Sequence, residues 1–138
     1  MAPSSCSDVA TAQVAMLRSR GLDVELIDIN GQCYILAHGI EAPSPPWDKA
    51  TFEILVAVPL LFDEAALDGF YLGLPYKFND GQHPRVNGQV IQWGERSWQL
   101  VSWHYPDAKP WRSGIDSLES HLAHCRGFFL NRGATNAM

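Results

Sequence analysis

The chain has 138 residues, 46% of them apolar and 18% charged, with a formal net charge of -5. That length and composition fit one globular domain with a real hydrophobic core and exclude a disordered chain. The acidic balance gives no footprint for nucleic acid or an anionic membrane, and no apolar run approaches the roughly 20 residues that span a bilayer.

The elements follow in order. Ser7 and Asp8 open an amphipathic run that ends in Arg18 and Arg20, with Gly21 as its stop: a capped helix whose charges complement its dipole. Val24 to Ile29 and Gln32 to Ala37 predict two strands around Asn30-Gly31, a dipeptide suited to a tight hairpin. The prolines of residues 43–46 predict a loop, and Thr51 to Val58, nearly continuous in apolar residues, a strand inside a sheet. A loop from Leu60 to Asp68 leads to a further strand over Gly69 to Pro75. Residues 76–97, rich in Asn, Gly, Pro and Gln, read as a long irregular segment, a place where function tends to live. Trp98 to Trp103 follows, then a Pro/Trp loop to Trp111. Ile115, Leu118, Leu122, Cys125 and Phe129 form one stripe of a helix from about Ser113 to Leu130, with Asp116 in its first turn. The expected fold is α+β: an N-terminal helix, a four-stranded antiparallel meander, a long irregular loop and a C-terminal helix, in one domain spanning 1–138. Residues 1–6 are expected to fray and 131–138 to form a flexible tail.

Cys6, Cys33 and Cys125 are odd in number and widely spaced, which predicts no disulfide framework and a reducing compartment. No secretory signal is visible at the N-terminus, so a cytoplasmic location is expected. Cys125 on the apolar stripe and Cys33 in a strand read as packing residues, and Cys6 as exposed.

Two stretches carry a resemblance. Gly94 to His104 followed by Trp111 to Leu118 resembles the signature of a prokaryotic family of ubiquitin-conjugating-like proteins: a tryptophan, then Ser-Arg-His, then Trp-Arg-Pro-Gly and an Asp. Trp103 stands here for the Arg and Ser113 for the Pro, while Val58-Pro59 and Asp68-Gly69-Phe70 look like that family's exit from its third strand. His83 to Ile91 is similar to the His-Pro-Asn segment of ordinary ubiquitin-conjugating enzymes; Ile91 then falls where their cysteine stands and Arg85 where their oxyanion-supporting Asn stands. Together the matches cover 58–118. The resemblance implies a ubiquitin-conjugating fold and a part in a bacterial ubiquitin-like modifier pathway. Its expected partners are a ubiquitin-like protein, a ubiquitin-activating-like enzyme and a metal-dependent deconjugating peptidase. It also implies that the first helix, with Arg18 and Arg20, faces the activating enzyme.

A conjugating enzyme needs a thiolate, and no cysteine lies between Cys33 and Cys125. His104 is the candidate for acid–base work, against a structural role pinning its loop to carbonyls or Asp116. Ser102 with His104, or Cys125, are the candidate displaced nucleophiles. Trp98, Trp103, Trp111, Arg112 and Asp116 are the expected binding residues around His104, the tryptophans serving as a stacking platform or as filler between loop and sheet. His121 and His124 have HxxH spacing, but only distant His83 or His104 could complete a zinc site, so no metal and no cofactor are expected. Three functions compete: a non-catalytic conjugating-like binding protein, an atypical conjugating enzyme, and a stand-alone hydrolase or ligand-binding domain using the Trp/His104 pocket.

Overall fold

The computed structural model describes residues 3–43, 47–62, 64–75 and 89–130. Helix α1 spans Asp8–Ser19 and helix α2 Leu118–Leu130; between them lie β1 (Val24–Ile29), β2 (Gln32–Glu41), β3 (Thr51–Val58), β4 (Phe70–Gly73), β5 (Val90–Trp93) and β6 (Arg96–Val101). The strands form one antiparallel, curled sheet in the order β1-β2-β3-β4-β6-β5. The fold is α+β, as the element pattern predicts.

Local chemistry explains the first half. Ser7 Oγ accepts the Ala10 amide at 3.2 Å and caps α1. Asn30 and Gly31 both take positive φ, 52° and 85°, as a tight hairpin with the hand of the strands requires. Strand β3 is paired on both edges, by β2 and β4, which matches its near-continuous apolar sequence.

The four-stranded meander needs correction. Two further strands, β5 and β6, join through a turn at Gly94-Glu95, where both residues take positive φ, 62° and 60°. Strand β6 rather than β5 pairs with β4, so the last hairpin folds back and leaves β5 at the edge. The turn dipeptides at 79–81 and 87–88, and His83 and Arg85, lie outside the described residues. So do 131–138.

Both helices cover one face of the sheet. Alternate residues of β2 to β4 (among them Ile35, Ile54, Val56, Phe70 and Leu72) meet Ala10, Val14 and Leu17 of α1 and Leu118, Leu122, Cys125, Phe128 and Phe129 of α2. Trp47 is sealed among Phe52, Phe128 and Phe129, and its indole donates to the Phe129 carbonyl at 2.9 Å. Each such ring or aliphatic side chain withdrawn from water contributes on the order of 1.5–3 kcal/mol. The other face carries Tyr34, Leu36, Leu55, Tyr71 and Trp98. There Glu53 bridges His38 and Arg96, and Arg96 crosses β4 at Gly73, where a Cβ would lie 2.6 Å from its guanidinium carbon.

Helix α2 begins later than its apolar period predicts. Ile115 and Asp116 donate their amides to the Arg112 carbonyl in a turn, and Ile115 is 67% exposed instead of joining the stripe. Ser117 starts the helix: its hydroxyl accepts from the Ser120 amide at 3.2 Å, and the Ser120 hydroxyl accepts from the Ser117 amide at 2.8 Å, a reciprocal cap.

The cysteine reading also needs correction. Cys6 and Cys33 are joined in a disulfide that ties the segment before α1 to β2, and Ser5 donates to Asp28 beside it. Cys6 is therefore buried and bonded rather than loose and exposed. Sequence separation of 27 residues hid the pairing, because only the sheet brings the two together. Among the described residues, no helix is long and apolar enough to cross a membrane.

Candidate functional site

Strand β6 ends at Val101, and residues 102–117 run from there across the flank of α2. Four side chains fasten this loop. Trp103 donates its indole N–H to the His124 carbonyl at 2.8 Å, and His124 Nε2 returns a bond to the Trp103 carbonyl at 3.0 Å. Tyr105 stacks on the His124 ring, with centroids 4.0 Å apart and planes 10° from parallel. Its hydroxyl bonds His121 Nδ1 at 2.7 Å, and His121 Nε2 bonds the Gly69 carbonyl at 2.8 Å.

These partners fix the proton on His121. A carbonyl only accepts, so Nε2 carries the hydrogen, and Nδ1 accepts from the tyrosine. Burial pulls His121 down to about 4, so it is the neutral ring that sits there. Burial likewise pushes the Tyr105 hydroxyl up, keeping it a donor.

His104 lies at the rim. Both oxygens of Asp68 stand 2.9–3.0 Å from its Nδ1. A carboxylate accepts, so Nδ1 donates; in a neutral ring so held, the Nε2 lone pair has no partner among the described residues, and the side chain is 61% exposed. Beside it a groove of about 530 Å³ is lined by Ser102, Trp103, Ala123, His124 and Gly127. A second hollow of about 590 Å³, shared across Pro106 and His124, is lined by Tyr105, Lys109, Arg112 and Asp116. At its far end Asp116 accepts the Arg112 amide at 2.7 Å, the main reason its carboxyl is held below the usual range.

The family model described as Prokaryotic E2 family E matches residues 9–129. The chain belongs to that family. No curated protein and no solved structure matches it.

In this member of the prokaryotic E2 family, the sequence-selected residues separate into groups. Ser102, Trp103, His104, Arg112 and Asp116 line the two hollows, and Trp111 packs on Tyr105 and Phe62 behind them. Trp98 does not join them; it faces the other side of the sheet, under the Arg96 guanidinium. No hydrogen bond links Ser102 to His104 among the described residues, and the pinning partner of His104 is Asp68 rather than Asp116. Cys125 is fully buried against the sheet, and burial pushes its thiol up, away from thiolate. Ile91 stands on β5 opposite Trp98. Arg20 forms an ion pair with Glu119 at 2.9 Å, whereas Arg18 has no ion-pair partner among the described residues. Among the described residues, no three or more His, Cys, Asp and Glu side chains converge to hold a metal; His121 and His124 are spent on Gly69, Tyr105 and Trp103. Sequence reading assigned Tyr105 no role and did not pair Asp68 with His104, since nothing local joins Asp68 to a histidine 36 residues away.

Proposed function

We propose that the protein is a ubiquitin-conjugating-like component of a bacterial ubiquitin-like modifier pathway that works without a cysteine thioester of its own. It binds the modifier or its activating enzyme through the loop of residues 102–116. One observation carries the second half of this reading: of the three cysteines in the chain, two are bonded to each other and the third is fully buried. The ordinary first step, thioester exchange with the activating enzyme, needs an accessible thiolate. Family membership supports the first half, with a ubiquitin-like protein, an activating enzyme and a deconjugating peptidase as the partners in view.

Calorimetry tests the binding role. The folded protein is titrated with a ubiquitin-like protein and an activating enzyme of the proposed pathway. Binding that His104→Ala weakens, while its melting temperature holds, supports the reading; no heat from either partner contradicts it. Arg18 belongs to a separate contact on α1. Reversing it to Glu should slow association in a salt-sensitive manner if that helix meets the activating enzyme.

A further inference from the structure

Asp68 and Gly69, and His104 and Tyr105, are two pairs of neighbours joined twice. Asp68 holds His104 directly, and Gly69 is linked to Tyr105 through His121. The first bridge is exposed and the second is buried. The buried imidazole therefore keeps the exposed pair in register. Gly69 takes part through its shape: φ is +63°, and a Cβ there would lie 2.7 Å from the Val101 carbonyl oxygen. An exposed ion pair contributes little to stability, so support of this kind beneath one points to use rather than to folding.

The geometry points to Asp68 and His104 as a general-base pair: Asp68 positions the ring, and His104 Nε2 takes a proton from an amine attacking an acyl group in the adjoining groove. The α2 wall of that groove carries little side-chain bulk. Ala123 and Gly127 lie one turn apart on its α2 wall, and even a Cβ at Gly127 would stand 3.8 Å from the Trp103 indole. The acyl donor, a thioester on a partner's cysteine, rests on the modifier-pathway reading above. In the step, the uncharged amine nitrogen bonds to the acyl carbon and gives one proton to Nε2. The carbon–sulfur bond breaks and its electron pair leaves on sulfur as thiolate; nothing is oxidised or reduced.

Two measurements test this. Long-range nitrogen–proton NMR of the neutral His104 ring should show the Nδ1–H tautomer. Asp68→Asn should populate Nε2–H, and Asp68→Glu should restore the original form. An Nε2–H ring in the unaltered protein overturns the pair. In the second, a glycylglycine thioester of a small thiol is aminolysed by free lysine. The protein should exceed His104→Gln by about 100-fold, with Asp68→Asn between them. Equal rates for protein and His104→Gln overturn the proposal. Partner binding is measured on the same samples: binding without a rate difference sinks the pair alone, and a rate difference without binding sinks the pathway reading alone.

Discussion

Helix α2 serves two regions by opposite means. Towards the sheet it presents Leu118, Leu122, Cys125, Phe128 and Phe129, all buried, to hydrocarbon and rings. Towards the loop it presents His121 and His124, whose ring nitrogens bond the Gly69 and Trp103 carbonyls. The core side holds by area and shape, which is strong and carries little directional information. The loop side holds by directed bonds, each modest in net worth but costly to leave half made. A helix edge thus adds directed bonds to a loop whose Trp103 and Trp111 also pack against the core.

Breaking the core side should give the largest effect. Phe129→Ala removes a ring that touches Trp47, Phe52 and Phe70, and should cost about 3–5 kcal/mol in urea unfolding. An effect under 1 kcal/mol would mean that Phe129 is not packed as described.

Mild acid should act first on the loop side, through His121, before the lowered carboxyls of Glu53 and Asp28 take up protons. His121 sits near 4 in the folded protein, against an ordinary value of 6.5. Above pH 6.5 neither state binds the proton and nothing is lost. As pH falls towards 4 the unfolded chain takes up a proton that the folded chain refuses, so stability drops, by up to about 3 kcal/mol. Urea midpoints across that window measure the slope.

His121→Leu sharpens the contrast. It leaves the Gly69 carbonyl and the Tyr105 hydroxyl without their partner, at about 1–3 kcal/mol near neutral pH. It should also remove most of the acid slope. A slope that survives in the variant would place its origin in other groups.

Much of the first half was legible because its signals are local. Ser7 before an amphipathic run, Asn30-Gly31 between two alternating stretches, and the apolar run from Thr51 to Val58 each fix their element from neighbours in sequence. Strand β5 was not legible: it is four residues long, lies at the edge, and none of its residues is fully buried. Ile115 carried the helical period one turn too far, because periodicity does not register the Arg112 turn or the Ser117 cap. His104 stood out for its Trp- and Ser-rich surroundings. Its partner Asp68, and the pairing of Cys6 with Cys33, exist only once the sheet has closed distances that sequence keeps apart.

A charging reaction asks whether this member of the prokaryotic E2 family carries a modifier on cysteine. The protein is incubated with ATP and with the activating enzyme and ubiquitin-like protein of the proposed pathway, then resolved on non-reducing gels with and without added thiol. No thiol-sensitive adduct is expected on this chain, for the protein and for Cys125→Ala alike. A thiol-sensitive adduct of one modifier mass that vanishes in Cys125→Ala would contradict it, and would show that the α2 core opens to expose its thiol.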